Sequence, residues 1–112
     1  MDPILVLAAL LALGIACSHS YLGEKYILIR LFRRENLPKI RGSDWFTKRT
    51  LRFAWHITSI AWIGMAAALL WEPRIAIAAA FGASALLVLF ASRGRHYAWI
   101  VFLAIAALAW PW

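Results

Sequence analysis

Three histidines, at positions 19, 56 and 96, are the side chains of this sequence best suited to metal chemistry. Neutral imidazole is the commonest metal ligand in proteins, and three protein ligands with one open position are the arrangement of catalytic zinc. Imidazoles from facing helices also hold haem in helical bundles. The three histidines therefore predict a site for a transition metal (zinc, iron or copper), with haem as an alternative.

Polar residues share the helical face of His56 on the second apolar segment. Arg52 lies four residues before His56 and Ser59 three residues after it, so the three side chains point the same way. Trp99 lies three residues after His96 on the last segment. We predict that Arg52, Ser59 and Trp99 contribute to a ligand-binding site beside the histidines.

The first segment carries the acidic residue of the predicted site. Glu24 is a candidate further metal ligand, a group that orients a ligand, or a general base. Ser20 shares a helical face with Glu24, whereas His19 points about 140° away from it in a regular helix. Gly23 offers a place for the helix to bend. The predicted metal site comprises His19, His56, His96 and Glu24, with Ser20 as a further ligand-binding residue, and no catalytic residue is assigned.

The spacing of these residues matches no established metal motif. The sequence has no HExxH, no paired carboxylates and no cysteine cluster, since Cys17 is its only cysteine. Histidines near a membrane surface also serve as amphipathic residues that bond a backbone carbonyl or a serine. A structural role for all three histidines is therefore the alternative to a metal site.

The composition indicates a membrane protein. Hydrophobic residues make up 64% of the chain and charged residues only 15%, whereas soluble domains are about a quarter charged. The formal charge of +7 comes from basic residues that flank apolar runs. Such residues contact anionic lipid head groups, and no nucleic-acid-binding motif accompanies them. Membrane lipids, and not nucleic acids, are the predicted partners.

Four apolar runs predict four transmembrane helices, at about residues 3–23, 50–71, 74–91 and 94–110. A spanning helix needs about 20 residues, so the fourth run spans only if it begins near Arg93. The links between the last three runs are short, which makes these helices antiparallel neighbours. The predicted fold is an all-α integral membrane four-helix bundle that forms a single domain over residues 1–112.

The basic connection 24–49 predicts the orientation. Together with Arg52 just beyond it, this connection carries nine of the twelve Lys and Arg residues, and Arg93 and Arg95 lie on the same side. The positive-inside rule places this connection in the cytoplasm and both termini outside, in a bacterial inner membrane. Three tryptophans are predicted at each interface: Trp71, Trp110 and Trp112 outside, and Trp45, Trp55 and Trp99 inside.

Within the basic connection, apolar and basic residues alternate with a helical period. Ile27, Leu28, Leu31 and Phe32 lie opposite Arg30, Arg33 and Arg34, in one continuous run of sequence. The pattern predicts an amphipathic interfacial helix or an extension of the first transmembrane helix.

Small residues recur at a spacing that lets helices approach closely. Gly64 and Ala68 lie four residues apart on the second helix, as do Ala78 and Gly82 on the third. These faces predict tight packing within the chain, a homo-oligomer, or contacts within a larger membrane complex.

Three functions follow from these features. The first is an inner-membrane protein whose cytoplasm-side histidine cluster binds a transition metal. The second is a non-enzymatic accessory or structural subunit of a membrane complex, with haem or pigment binding as a variant. The third is a small oligomeric transporter. In length and helix count the chain resembles the small multidrug-resistance transporters, but it lacks their acidic residue in the first helix, because none lies between Ile4 and Tyr21.

Overall fold

A computed structural model describes all 112 residues as helices joined by turns, with no strand. Helix α1 is the helical stretch Pro3–Leu31, α2 is Trp45–Leu70, α3 is Pro73–Ser92 and α4 is Ala98–Ala109. The first three helices are long and apolar enough to cross a membrane, and α4 is a shorter apolar helix. The predicted all-helical fold class is confirmed.

Helices α1 and α3 begin with the same local device, an acidic residue followed by proline. The carboxylates of Asp2 and Glu72 each accept a hydrogen bond from the backbone N–H two residues later, at 2.8 and 3.1 Å. Pro3 and Pro73 then occupy the first turn, where the backbone N–H has no partner within the helix. Proline lacks this N–H without loss there, and its fixed φ suits a helix. The sequence therefore defines both helix starts locally.

Helix α1 does not end at Gly23. Its α-helical part Pro3–Gly23 passes into a π-helical turn, Glu24–Leu28, and then into Ile29–Leu31. Gly23 has ordinary helical geometry (φ −61°, ψ −47°), and the change from α-helical to π-helical geometry begins at the next residue. The amphipathic segment is thus an extension of α1, and no separate interfacial helix forms.

Helix α4 begins later than the predicted position near residue 94. Arg93 and Gly94 adopt left-handed backbone conformations that end α3. His96 then donates its N–H to Ser92 Oγ at 3.1 Å, and its Nδ1 accepts the N–H of Ala98 at 3.2 Å. These bonds hold the connection outside helical geometry. The remaining 12 residues cover about 18 Å, less than the hydrocarbon core of a bilayer.

The four helices lie side by side in one layer. Helix α1 packs on α2, α2 on α3 and α3 on α4. The overall extents are 52 × 33 × 15 Å. Three interaxial distances of about 8–10 Å account for most of the 33 Å width, whereas a closed bundle would have two similar short dimensions. The helices of one chain thus form an open row, and the predicted four-helix bundle is not confirmed.

The glycines explain which helices approach each other. A Cβ at Gly23 would meet α2, one at Gly64 would meet Ala80 of α3, and one at Gly82 would touch Ala106 of α4. An approach that excludes a Cβ is thus built into the α1–α2 and α2–α3 seams, whereas Gly82 lies at an ordinary contact distance from α4. No equivalent seam joins α1 to α4, and the layer stays open.

Little of the chain is buried. Only 13 of 112 residues are buried, and the accessible surface is 7468 Å², against about 6,200 Å² for a compact protein of this mass. The buried positions are mostly small, including Ala9, Ala16, Ala76, Ala78 and Ala85. Large apolar side chains point outward from both faces of the layer.

Gly64→Ala should separate α2 from α3. The new Cβ would lie 2.8 Å from Ala80 Cβ, and overpacking of this kind costs about 1–3 kcal/mol. Gly82→Ala is the matched control, because its Cβ would meet Ala106 at an ordinary 4.0 Å. Unfolding in mixed detergent micelles, followed by tryptophan fluorescence, should show a lower midpoint for Gly64→Ala alone. Equal midpoints for both variants would contradict this packing.

Candidate functional site

A row of five polar side chains joins α1 to α2, and we call it the polar ladder: Ser59, Ser20, His56, Glu24 and Arg52. The two serine Oγ atoms are 2.6 Å apart, and Ser20 Oγ lies 2.9 Å from His56 Nδ1. His56 Nε2 lies 3.2 Å from Glu24 Oε2, and Arg52 Nε lies 2.9 Å from Glu24 Oε1. The ladder is a continuous chain of contacts across the helix pair.

Helical spacing places these residues opposite one another. Ser20 and Glu24 are four residues apart on α1, and the α2 members follow at intervals of four and three residues. The structure therefore brings together the two polar faces that the sequence identified, including Arg52 and Ser59 as neighbours of His56.

The chemistry of the groups gives the ladder a direction. Glu24 is an acceptor for both Arg52 and His56 Nε2 when its carboxyl group is ionised. In a neutral imidazole that donates from Nε2, Nδ1 accepts, so the Ser20 hydroxyl donates to His56 and the Ser59 hydroxyl donates to Ser20. Every one of these side chains then has a partner within the helix pair.

The ladder is only partly shielded from its surroundings. Relative exposure of the side chain is 44% for Arg52, 33% for Glu24 and 27% for His56. Ser59, at the other end, is buried. Exposed ion pairs add little stability, so the hydroxyl end of the ladder contributes most to the α1–α2 contact.

His19 lies outside the ladder and packs on two tryptophans of α2. Its ring stacks on Trp55 with centroids 4.5 Å apart and meets Trp62 edge-on at 5.0 Å. Trp55 Nε1 donates to His19 O at 2.9 Å, and His19 Nε2 lies 3.2 Å from Trp55 O, which can only accept. His19 is thus held in a reciprocal contact with Trp55.

Gly23 makes room for this contact. A Cβ at Gly23 would overlap the indole of Trp55. Gly23 and Trp55, which the sequence analysis considered separately, form the close approach of α1 and α2. One sequence signal could have predicted this contact. Trp55 and Trp62 are seven residues apart, so they share one helical face, and that face lies opposite a glycine.

His96 and Trp99 lie at the start of α4, away from the ladder. The His96 ring stacks on Phe46 at 5.5 Å and meets Phe53 edge-on at 5.0 Å. Trp99 Nε1 lies 3.4 Å from Gly94 O, within the same turn. Both residues stabilise the α3–α4 connection.

The three histidines are therefore not brought together. No group of three or more His, Cys, Asp or Glu side chains is placed to hold a metal ion. His19 faces the tryptophans because it is one residue, or about 100°, away from Ser20 on the helix, and His96 is held by its capping bonds. Of the predicted metal site, only His56 and Glu24 are in contact.

Ser20→Ala should weaken the α1–α2 contact, because it removes a hydroxyl bonded to both His56 and Ser59. We expect a loss of about 1 kcal/mol in the free energy of unfolding, the usual range for hydrogen bonds between helices in membranes. Ser18→Ala, two residues away at an exposed position, is the control and should change it little. A double-mutant cycle of Ser20→Ala with Ser59→Ala should give a coupling energy of similar size. If the losses of unfolding free energy in the two single variants simply add in the double variant, the contact between Ser20 and Ser59 is contradicted.

Gly23→Ala should be more disruptive than Ser20→Ala, because the Trp55 indole must move and its bond to His19 O is lost. The expected cost is about 1–3 kcal/mol. Gly14→Ala is the matched control on the same helix, since nothing lies within 4 Å of its Cβ position and alanine favours a helix. Unfolding midpoints of the two variants should move in opposite directions, and a stable Gly23→Ala would refute the close approach.

No protein-family model, curated protein or solved structure matches the chain. The function proposed below rests on the contacts described above.

Proposed function

We propose that the chain is a non-enzymatic structural protein of a bacterial inner membrane that assembles face to face with a second copy of itself. The open layer of four helices is the observation that carries this proposal. Helical domains are built from at least two packed layers, and one chain supplies a single layer. A second copy would supply the other.

The dimensions of the layer support this assembly. Extents of 52 × 33 Å give each face a projected area of about 1,700 Å², and a stable interface needs about 800 Å² per partner. A cavity of about 420 Å³ also opens between α2, α3 and α4 on one face. Its walls are mostly apolar and include Ala61, Gly64, Ala80 and Phe102. Grooves lined by small residues admit the side chains of an adjacent helix.

The polar ladder supports a structural role over a metal-binding one. Its five side chains bond to one another, and the two histidines outside it are held by aromatic contacts and backbone bonds. A transporter would be expected to place ionisable groups near the midplane. In the polar ladder, only the hydroxyl groups of Ser20 and Ser59 continue beyond His56, and His19, one residue from Ser20 on α1, is held by Trp55.

Charge supports the predicted orientation. The α1–α2 connection and the α3–α4 turn lie at one end of the layer, which we call the basic end, and only Arg74 among the basic residues lies at the other. We therefore propose that the basic end faces the cytoplasm with both termini outside. Arg74 bonds the carbonyl oxygens of Ala109 and Trp110 at 3.2 Å, which keeps the end of α4 level with the α2–α3 turn.

The assembly can be tested by placing the purified protein in nanodiscs and measuring the mass of protein in each disc. We expect a multiple of the 12.6 kDa chain mass. Ala61→Trp would fill the groove and should shift the mass towards one chain, whereas Leu108→Trp, on an exposed position of α4, should not. A single-chain mass for the unsubstituted protein would overturn the self-assembly. Fusion of a periplasm-dependent reporter to the C-terminus tests the orientation, and an inactive reporter with correctly inserted protein would reverse it.

A further inference from the structure

Three arginines surround one indole at the basic end. The Cζ atoms of Arg95, Arg49 and Arg93 lie 4.9, 5.3 and 5.7 Å from the ring centroid of Trp45. Arg49 comes from α2, and the other two come from the α3–α4 turn. We call this set the Trp45 cluster. Cations are attracted to the face of an indole ring, so Trp45 holds the three side chains in place.

No carboxylate neutralises these arginines. The ion pairs of the structure join Glu24 to Arg52 and His56, and Asp44 to Lys48. The three guanidinium groups share one ring, so no two are more than about 11 Å apart, and their like charges repel one another. The charge is concentrated and unpaired. An anion bound among the three would relieve the repulsion.

Arg52 differs from the arginines of this cluster. The sequence predicted Arg52 as a ligand-binding residue on the face of His56. In the structure Arg52 is engaged by Glu24 at 2.9 Å, whereas the Trp45 cluster has its charge available.

The backbone at Arg93 would accept glycine. Arg93 has φ 51° and ψ 41°, in the left-handed region where glycine is usual at the end of a helix. Gly94 follows with φ 76°, and its N–H donates to Leu89 O at 2.9 Å to close the cap. The charge of Arg93 can therefore be removed by a glycine substitution that keeps the turn.

A cavity beside the cluster has both basic and apolar walls. It has a volume of about 520 Å³, and Trp45 and Arg49 line it. Its other walls are basic (Arg33, Lys48, Arg52), apolar (Ile29, Phe32) and, at one position, acidic (Asp44). Such a cavity suits a molecule that is anionic at one end and apolar at the other.

We propose that the Trp45 cluster binds the phosphate of an anionic phospholipid head group, with the cavity taking the adjoining glycerol region. The site rests on the membrane insertion proposed above and adds to it a defined lipid position. Arginine suits this ligand because its planar donor fork matches phosphate oxygens.

The test compares two double variants that remove equal charge. Arg93→Gly/Arg95→Gln alters the cluster, and Arg34→Gln/Lys39→Gln alters exposed residues of the α1–α2 connection away from Trp45. Each protein is placed in phosphatidylcholine nanodiscs containing a minor fraction of phosphatidylglycerol, and retained phosphatidylglycerol is measured by native mass spectrometry. Because the cluster variant removes two of the three guanidinium groups proposed to hold the phosphate, we expect it to lose at least roughly tenfold in affinity. The control removes only general attraction to an anionic surface, so its loss should be smaller.

Equal losses in the two variants would mean general attraction to an anionic surface and would overturn the site. Displacement of phosphatidylglycerol by dissolved inorganic phosphate would show a site for free anions and would also overturn a lipid site. Failure of every variant and of the unsubstituted protein to enter the nanodiscs would instead count against the proposed membrane protein itself.

Arg93→Gly alone separates binding from folding. Glycine adopts the left-handed turn without strain, so the unfolding midpoint in phosphatidylcholine should stay the same or rise while phosphatidylglycerol retention falls. A variant that loses stability and lipid together would make Arg93 a structural residue and would remove it from the site.

Discussion

The contact between α1 and α2 is the interaction on which the rest of the layer depends. Helices α2, α3 and α4 are joined by short turns, which keep them adjacent whatever their side chains. Residues 32–44 separate α1 from α2, so the position of α1 is fixed by side chains alone. The polar ladder and the His19–Trp55 contact supply that position, and Gly23 lets the two backbones come close enough for both. A helix with a single neighbour needs such directional contacts, because apolar packing in lipid does not select one rotation about the helix axis.

Much of the local structure could be predicted from the sequence, because it depends on short-range rules. Proline after an acidic residue gives the starts of α1 and α3, and helical spacing gives the shared faces of Ser20 with Glu24 and of Arg52 with His56. The same geometry separated His19 from Glu24. Helical periodicity does not say which helices meet across the layer, so it could not show that His96 would be used to cap a turn. It also could not show that Trp55 would face α1, since an interfacial tryptophan and a packing tryptophan have the same sequence signal.

Composition alone could not distinguish the predicted four-helix bundle from an open layer. Four apolar helices with small residues are compatible with a closed bundle, a row or an oligomer, because all three bury the same kinds of residue. What distinguishes them is which seams carry the glycines. Gly23, Gly64 and Gly82 lie on successive seams and leave α1 and α4 as two separate edges. In lipid, large apolar side chains on both faces are solvated by acyl chains, so the association of two layers must come from close packing of small residues and not from burial of apolar surface.

The short α4 gives the two edges of the layer different heights. At one edge, the apolar run Ile4–Leu22 of α1 covers about 28 Å, close to the thickness of a bilayer core, while α4 at the other covers about 18 Å. In a bilayer, either the bilayer beside α4 would become thinner or the α4 edge of the layer would tilt. Such hydrophobic mismatch costs a fraction of a kcal/mol per ångström. The deformation acts on one side only. The α4 edge would therefore be the side on which the chain prefers particular neighbours within the plane of the membrane. The chain would accumulate where the bilayer is already thin, or beside another short helix that shares the deformation.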